Sequence, residues 1–407
     1  MYTAPMKAEK KRSILLLCDY RAPYGGNFIA SLRRLDPALK AAGANRRYLF
    51  PAEATARAWF VRFQAETLAA DGFADGLPFF RRLGRLLGEI DAAGADTLHV
   101  HFGFFPLAEC AALLRPRLRL ILHFHSDFSA GRKPSFPQRV KRLGTRLVRA
   151  LLGKRLVKIT VSESSAVGER GCLSLPNALV TERFTDETWD RARTRAAYGL
   201  GESERLAVVF GWSPEVKGVD VAVRAVRRLR RDGRAPWKLG VVCGRTFTEE
   251  RMRAWIEAHV GKGEGEDVLF LPPTEDVFRY HLAADAFVSA SRSETFSYAL
   301  LEAISAGRPC VASDIPGVQW ARAFDTVRFV PAGDDAALSD ALVALDYDAA
   351  APGYAARLMA AAQRATDMYA IDRWVDGLLT IYGLHKGTAR PGGTAAEGVN
   401  KGDMAHG

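Results

Sequence analysis

The chain has 407 residues, of which 48% are hydrophobic and 25% are charged, a composition typical of a globular protein. Its length predicts two domains, because single hydrophobic cores rarely grow beyond ~250–300 residues. No charge-free apolar run approaches the ~20 residues of a membrane-spanning helix. The apolar run 14–18 is also too short for a secretory signal. We therefore expect a cytoplasmic protein.

The net charge of +11 is unevenly distributed along the chain. Residues 1–185 contain 30 lysines and arginines against 15 acidic residues, whereas residues 186–407 contain 27 against 31. A basic half of this kind suggests an anionic partner such as a membrane surface, a lipid phosphate or a nucleic acid. The sequence has no zinc-finger, RNP or helix-turn-helix signature, so we expect no nucleic-acid partner.

In the first half, short apolar runs alternate with amphipathic ones. The predicted strands are 14–18, 47–50, 97–102, 118–124, 157–161 and 172–175. Helices are predicted between them, for example at 27–42, 79–93 and 138–152. The apolar runs scarcely alternate with polar residues, which is typical of strands buried on both faces of a parallel sheet.

The second half repeats this pattern after a polar stretch at 181–204. The predicted strands are 206–210, 239–243, 268–271, 286–289, 310–312 and 327–330, with helices at 219–232, 249–260, 297–306 and 335–345. The pattern predicts an α/β protein with two doubly wound domains, residues 1–185 and 186–370. Residues 387–407 lack apolar content and are predicted to be disordered. Ligands of open α/β sheets bind beyond the carboxyl ends of the strands, so we expect the site between the domains.

The strongest motif spans residues 291–309, directly after a predicted strand. Glu294 lies in its loop and Glu302 lies within the following helix. Phe296, Ser297 and Tyr298 lie where that helix begins, and a helix N-terminus suits a diphosphate. Carboxylates at these two positions could accept hydrogen bonds from sugar and ribose hydroxyls. The alternative is two unrelated surface glutamates on an ordinary strand–helix unit.

Two further loops have the composition of phosphate-binding segments. Gly211-Trp212 follows a predicted strand and leads to Lys217, which lies just before a helix and could neutralise phosphate. Gly25-Gly26 follows the first strand and would let backbone amides approach a ligand. A surface lysine and plain turns are the alternatives. No dinucleotide-binding fingerprint is present, which disfavours a nicotinamide or flavin.

Four of the eight histidines lie in two consecutive predicted strands. His99 and His101 share one face of their strand, as do His123 and His125 of theirs. His125 lies at the end of its strand, toward the mouth of the cleft. Because no carboxylate shares the His-x-His register, we expect no metal site here and a structural role for the other three histidines.

Taken together, these segments resemble glycosyltransferase family 4, whose members have the GT-B fold. This fold has two Rossmann-like, doubly wound domains facing each other across a cleft, and a C-terminal helix that crosses back. Glu294 and Glu302 have the family's spacing, within Ser-x-x-Glu-x-Phe and before Leu-Glu-Ala-x-x-Ala-Gly-x-Pro. Lys217-Gly218 resembles the family's phosphate loop. By this resemblance, residues 1–185 bind the acceptor, 186–370 bind the nucleotide-sugar, and 371–386 return to the first domain.

The resemblance also implies roles for individual residues. Glu302 would bind the ribose, Glu294 the hydroxyls of the donor sugar, and Lys217 the departing diphosphate, with His125 lining the site near sugar and acceptor. The family retains anomeric configuration and needs no metal or other cofactor. Many members have arginine where this chain has Trp212. Arg245 or Arg21 could supply the missing phosphate-binding cation.

The segment 138–158 is rich in arginine and lysine, has no acidic residue, and carries leucines at helical spacing. We expect its basic face to rest on anionic lipid and to present a lipid-linked acceptor. The residues of this face are Arg146, Arg149, Lys154 and Arg155. The alternative is a solvated basic helix packed on the sheet.

The sequence therefore predicts a retaining, metal-independent hexosyltransferase that uses a nucleotide-sugar, with a UDP-sugar as the first choice. The expected acceptor is a glycan or a lipid-linked molecule in the synthesis of a bacterial surface polysaccharide, at the inner face of the membrane. Two alternatives remain. One is another GT-B enzyme, such as a nucleotide-sugar epimerase or a sugar phosphorylase. The other is a non-catalytic, basic protein that binds anions or polysaccharide.

Overall fold

The structure is a computed structural model. It describes residues 11–125, 136–162, 170–181, 190–201, 203–234, 237–245, 247–263, 267–274 and 276–384. The side chains of residues 136–141 are outside this description. The predicted disordered tail at 387–407 and the predicted domain boundary at 185/186 also lie outside it.

The first domain is a parallel sheet covered by helices on both faces. Its strands are β1 (Ser13–Cys18), β2 (Asn45–Pro51), β3 (Ala70–Phe73), β4 (Thr97–His101), β5 (Arg119–Phe124), β6 (Leu156–Thr160) and β7 (Leu173–Ser174). Its helices are α1 (Gly26–Ala41), α2 (Ala58–Thr67), α3 (Phe79–Ala92), α4 (Phe105–Leu114) and α5 (Phe136–Leu152). The strand order is β3-β2-β1-β4-β5-β6-β7. The reversal of strand order beside β1 creates the crevice in which such sheets bind ligands.

The second domain has the same architecture. Its strands are β8 (Arg205–Phe210), β9 (Trp237–Val242), β10 (Val268–Leu271), β11 (Ala286–Ser289), β12 (Cys310–Ser313) and β13 (Val327–Val330), in the order β10-β9-β8-β11-β12-β13. Its helices are α6 (Arg191–Ala197), α7 (Pro214–Lys217), α8 (Val219–Arg231), α9 (Glu249–Val260), α10 (Phe278–Ala283), α11 (Tyr298–Ser305), α12 (Asp335–Ala350) and α13 (Tyr354–Met368).

Both sheets are buried on both faces, as the unbroken apolar runs predict. All six residues of β1 are buried. Ile14 and Leu16 pack into the core on one face of the first sheet, and Leu15 and Leu17 pack into the core on the other. Each fully buried leucine contributes about 1.5–3 kcal/mol relative to an exposed one. These two cores fix the sheet and with it the positions of the loops at the carboxyl ends of its strands.

The C-terminal segment joins the two domains. An isolated parallel bridge pairs Leu179 with Ala370. Helix α14 (Ile371–Tyr382) follows and packs on α1, where its apolar face, including Trp374 and Leu378, belongs to the core of the first domain. The chain therefore returns to the first domain after completing the second.

Several elements differ from the pattern that the sequence predicts. Strand β3 was not predicted, because its four residues include Asp71 and Gly72 and lack an apolar run. Helix α13 was also not predicted, and Pro352-Gly353 separates it from α12. A short helix, α7, places Lys217 at its last position. No helix within the described ranges is both long and apolar enough to cross a membrane.

Candidate active site

Lys217 and Glu294 form an ion pair at the carboxyl ends of β8 and β11. Lys217 Nζ lies 2.6 Å from Glu294 Oε1, and the two side chains are 14% and 11% exposed. Ser291 Oγ donates a hydrogen bond of 2.8 Å to the same carboxylate oxygen. The loops that the sequence identified thus meet, and their opposite charges are paired in a largely buried place.

Two glycines allow these loops to approach each other. Gly218 has φ +64°, and a Cβ there would lie 2.0 Å from the carbonyl oxygen of Ala290. A Cβ at Gly317 would lie 1.8 Å from the carbonyl oxygen of Glu294. Any side chain at either position would push the Glu294 loop away. Gly317 was missed in the sequence, although the pair Pro316-Gly317 after a predicted strand is a turn signal.

An ion-paired network anchors the outer part of the same loop. Arg292 donates two hydrogen bonds to the carboxylate of Asp220, at 2.8 and 2.7 Å, and one to the carbonyl oxygen of Glu215. Burial raises the pKa of Asp220, but hydrogen bonds from Arg292 and Arg224 outweigh it and hold the pKa at about 2. Asp220 therefore stays ionised and ties the loop to α8.

Helix α11 begins beside the ion pair. Ser297 is its N-cap and accepts a hydrogen bond from the backbone N–H of Leu300. Phe296 is buried and stacks on Trp320, with ring centres 4.9 Å apart. A small recess in front of the helix is lined by Lys217, Ser291, Glu294 and Ser297, among others. Because the recess lies at the N-terminal end of α11 and contains the Lys217 ammonium, it suits an anionic group.

Glu302 is oriented by a residue of the first domain. Asn27 Nδ2 donates a hydrogen bond of 2.7 Å to Glu302 Oε1, and both residues are 5% exposed. Asn27 lies in the first turn of α1, directly after Gly25 and Gly26, and Gly26 has φ +55°. The first turn of α1 thus lies beside the middle of α11. Asn27 was missed because its partner lies 275 positions away in the sequence.

Glu302 is not among the residues that line the recess around Lys217 and Glu294. Its carboxylate faces α1 instead, where Gly25 packs against Ile29 and Trp59. Of the three charged residues that the sequence singled out, Lys217 and Glu294 therefore pair with each other within the second domain, and Glu302 contacts the first domain. The three do not share one small cavity.

The basic residues near the cleft differ in what they contact. The guanidinium of Arg245 lies 4.7 Å from the ring centre of Tyr24, and its Nε donates to Tyr24 Oη at 3.0 Å. Arg21 contacts three carboxylates. These belong to Asp19, Glu53 and Asp75. Arg21 is thus neutralised within the first domain, whereas Arg245 bridges the two domains.

Trp212 occupies the position next to the lysine loop. Its indole is 46% exposed, and Lys217 Nζ lies 4.8 Å from its ring centre. Gly211 precedes it, and a Cβ there would lie within 2.7–2.8 Å of the side chains of Met252 and Val241. Glycine is therefore required at position 211 because the core side chains of Met252 and Val241 occupy the space that a Cβ would need.

His125 is half-buried at the end of β5 and is held by its neighbours. Its Nε2 lies 3.0 Å from His101 Nδ1, and its ring stacks on Phe102 with centres 4.2 Å apart. Burial lowers the pKa of His125 to about 3, although a hydrogen bond with the Asn177 side chain acts in the opposite direction. The imidazole is therefore neutral near pH 7 and can exchange hydrogen bonds without carrying charge.

Of the four cations predicted for the membrane face of α5 and its C-terminal turn, two contact the first domain and two are exposed. Arg149 contacts the buried Glu109 at 2.6 Å, and Arg155 donates to backbone carbonyl oxygens at the end of α4. Arg146 and Lys154 are exposed. The two cations of the first pair hold the helix on the domain, and those of the second face outward.

The same helix exposes an apolar stripe formed by three of the leucines that recur at helical spacing. Leu143, Leu147 and Leu151 are 68%, 63% and 65% exposed, whereas Leu152 is 2% exposed. The exposed leucines are four residues apart and therefore lie on one side of the helix. Val148 and Leu152 of the same helix pack on the domain instead.

Comparisons with solved structures place this architecture in the GT-B fold class. A glycosyltransferase from Rickettsia africae superposes with a TM-score of 0.73 and 14% identity, covering 92% of this chain and 98% of that one. Anabaena HepE, solved with UDP-glucose, superposes with a TM-score of 0.71 and 16% identity, covering 91% and 100%. The two parallel-sheet domains of this chain thus have the GT-B fold.

Sequence comparisons identify the family within that class. The "Glycosyltransferase Family 4" model matches residues 38–167, and the "Glycosyl transferases group 1" model matches residues 204–348. A D-inositol 3-phosphate glycosyltransferase of Nocardia farcinica is 35% identical over 161 residues, which are 38% of this chain and 36% of that protein. The match thus spans less than half of that relative. The chain belongs to glycosyltransferase family 4, as the motifs around Lys217 and Glu294 predict.

Proposed function

We propose that the protein is a retaining glycosyltransferase that moves a sugar from a nucleoside diphosphate donor to a glycan or lipid-linked acceptor. UDP-sugars are the first choice of donor. The observation that carries this proposal is the largely buried Lys217–Glu294 pair at the N-terminus of α11. It joins a phosphate-binding cation and a hydroxyl-binding carboxylate in the cleft of a family 4 protein.

The diphosphate would lie between Lys217 and the first turn of α11. Its negative charge grows as the sugar leaves, so groups that are already fixed there stabilise the transition state more than the substrate. Lys217 is held by Glu294, and the loops of both are fixed by glycines that tolerate no side chain. Lys217 can turn its ammonium from Glu294 to phosphate, which releases the carboxylate for the sugar's hydroxyl groups.

The nucleoside would lie toward α1. Glu302 has the place in α11 that suits a ribose diol, and Asn27 fixes its carboxylate. A ribose that binds there has to share Glu302 with Asn27 or displace it. Donor binding would therefore involve Gly25 and Gly26, which adjoin Asn27 in the first domain.

A second cation would compensate for Trp212. Arg245 fits this role, because it reaches Tyr24 of the first domain and lies after β9, one strand away from the lysine loop. The indole of Trp212 would in turn restrict the motion of the Lys217 side chain over its face. Where an arginine would contact the phosphate directly, Trp212 would instead contact Lys217, the residue that binds the phosphate.

The acceptor would enter from the first domain, near His125. Because this imidazole is neutral near pH 7, it can orient a hydroxyl group without competing with the lysine for the diphosphate. The proposed reaction needs no metal or other cofactor, since Lys217 and the helix amides supply the positive charge. Addition of a chelator should leave turnover unchanged in this proposal.

The exposed face of α5 supports a membrane-bound acceptor. Leu143, Leu147 and Leu151 form an apolar stripe beside the exposed cations Arg146 and Lys154. A helix with this face lies in the boundary between lipid headgroups and acyl chains of an anionic membrane. The protein would thus work at the cytoplasmic face of the membrane, on a lipid-linked precursor of a surface polysaccharide.

A donor and acceptor panel tests the function. Purified protein is incubated with UDP- and GDP-sugars and with lipid-linked glycans, simple glycans or inositol phosphates, and the product's anomeric configuration is determined by NMR. We expect transfer with retention. K217A and E294Q should lower kcat/KM at least about 100-fold, the scale of losing one preorganised charge contact.

Lys238 offers a matched control for these variants. It pairs with Glu204 at 2.7 Å and is 15% exposed, but it lies on β9 away from the cleft. K238A should retain transfer. If E294Q kept full turnover, Glu294 would have no part in the transfer. If the wild-type protein transferred no sugar from any donor of the panel, it would be assigned to the non-catalytic binders instead. An epimerised or phosphorolysed donor without transfer would indicate a different GT-B enzyme.

A further inference from the structure

Three histidines of the first sheet converge in its interior. His99 and His101 lie on β4 and His123 lies beside them on β5, where His101 and His123 are register partners. All three side chains are fully buried. One ring nitrogen from each lies within 4.8 Å of the other two. Adjacent parallel strands with the same His-x-His spacing produce this convergence, because alternate residues share a face.

Most ring nitrogens of this group have no hydrogen-bond partner within the described part of the chain. They are Nε2 of His99, Nε2 of His101 and both nitrogens of His123. Each neutral imidazole has one N–H group and one lone pair, so a buried ring normally engages both. Three fully buried rings whose nitrogens lie this close together and lack partners are candidate ligands of a single metal ion.

The Nδ1 atoms of His99 and His101 already have partners. Nδ1 of His99 lies 2.5 Å from Tyr382 Oη, and Nδ1 of His101 lies 3.0 Å from His125 Nε2. A histidine that binds a metal usually donates its other N–H group to a second residue, which fixes its tautomer. If both Nδ1 atoms carry the proton, both Nε2 atoms carry a lone pair and can act as metal ligands.

From this arrangement we propose that His99, His101 and His123 bind a zinc ion. Neutral imidazoles suit Zn²⁺, whereas Mg²⁺ and Ca²⁺ require oxygen ligands. No carboxylate joins the group among the described residues. Zinc bonds of ~2.1 Å to nitrogen require the ligand atoms to be about 3.4 Å apart, so the three rings have to rotate and bring their nitrogens closer together when the ion binds. Water would occupy the fourth position.

The ion would be structural, and the proposed transfer would proceed without it. Its ligands join β4 to β5, and Tyr382 extends the connection to α14, the helix that returns from the second domain. A His101 ring fixed by the ion would also fix the orientation of His125, because the two rings are joined through His101 Nδ1 and His125 Nε2. A buried histidine cluster bridged only by water is the competing explanation, and the experiment separates the two.

The test uses the full chain without a polyhistidine tag. Protein is incubated with Zn²⁺, unbound metal is removed, and elemental analysis measures zinc per chain. We expect one zinc ion in the wild-type protein, a visible d–d spectrum when Co²⁺ replaces it, and loss of both in H123Q. His281 is equally buried, with both ring nitrogens unpaired in the described structure, so H281Q should still bind one ion.

Thermal unfolding shows whether each variant is folded, so that a loss of zinc binding is not mistaken for a loss of structure. Zn²⁺ should raise the unfolding midpoint of the wild-type protein by several degrees, and a chelator should reverse this shift, because the ion binds only the folded site. The proposal is overturned if the wild-type protein retains only traces of zinc and its midpoint is unchanged. It is also overturned if folded H123Q binds as much zinc as H281Q does.

Discussion

Asn27 is the residue whose contact most directly joins the first domain to the proposed nucleotide site. We predict that N27D raises the KM for the donor about tenfold, because two carboxylates would then lie 2.7 Å apart where an amide now donates. A tenfold change corresponds to about 1.4 kcal/mol, a small part of such a repulsion. Steady-state kinetics with varied donor measure the effect.

Ser31 provides the control for Asn27. It lies one turn further along α1, is 2% exposed, and its hydroxyl has no hydrogen-bond partner within the described residues. S31A should leave the KM for the donor unchanged. Equal KM values for N27D, S31A and the wild-type protein would show that α1 does not orient Glu302.

His281 gives the second domain a measurable sensitivity to acid. Burial, aided by the nearby charge of Arg308, lowers the pKa of His281 to about 3, against about 6.5 in the unfolded chain. Its ring packs against Phe210 and Phe287. Between these pKa values the unfolded state binds a proton that the folded state excludes. This group's contribution to the free energy of unfolding therefore falls as pH falls below 6.5.

We predict that H281Q removes this contribution. The stability of the wild-type protein relative to H281Q should decrease by about 2 kcal/mol between pH 7.5 and pH 5, as the two pKa values require. Denaturant unfolding of both proteins at several pH values measures the difference. A difference independent of pH would mean that His281 takes up its proton as readily in the folded protein as in the unfolded chain.

At the scale of elements, the exposed face of α5 predicts binding to anionic membranes. The wild-type protein should sediment with vesicles that contain phosphatidylglycerol, and R146E/K154E should reduce binding more than tenfold. Each cation near an anionic surface contributes about 1 kcal/mol, and reversal doubles the loss. Replacing Leu143, Leu147 and Leu151 by serine should reduce binding to neutral and anionic vesicles alike.

A control outside α5 separates local from overall charge. Arg230 and Arg231 are exposed on α8 of the second domain. R230E/R231E changes the net charge as much as R146E/K154E does, so it should sediment like the wild-type protein. Equal losses for the two double variants would mean that the net charge of the protein, and no particular helix, governs binding.

The regular elements were predictable because their signal is local. The apolar runs that form β1, β8 and β11 appear in the sequence as unbroken stretches between turn residues. Strand β3 gives no such signal, since only its edge position in the sheet makes four weakly apolar residues extended. Which leucines of α5 face outward was equally unpredictable, because helical spacing does not specify how much of a helix its domain covers.

At the scale of the whole molecule, the site depends on contacts that no local pattern contains. The motifs identified Lys217, Glu294 and Glu302, since each lies in a segment with recognisable spacing. The contacts of Glu302 with Asn27 and of Arg245 with Tyr24 arise only when the two domains meet. Helix α14 contributes by packing in the core of the first domain after the chain has completed the second.

The central claim is that Lys217 binds the diphosphate of the donor, and calorimetry of UDP and uridine tests it. The ratio of the two dissociation constants isolates the diphosphate, because the nucleoside is common to both. Wild-type protein and K238A should bind UDP far more tightly than uridine. In K217A this preference should fall at least tenfold while uridine binding is unchanged. An undiminished preference in K217A would contradict the account.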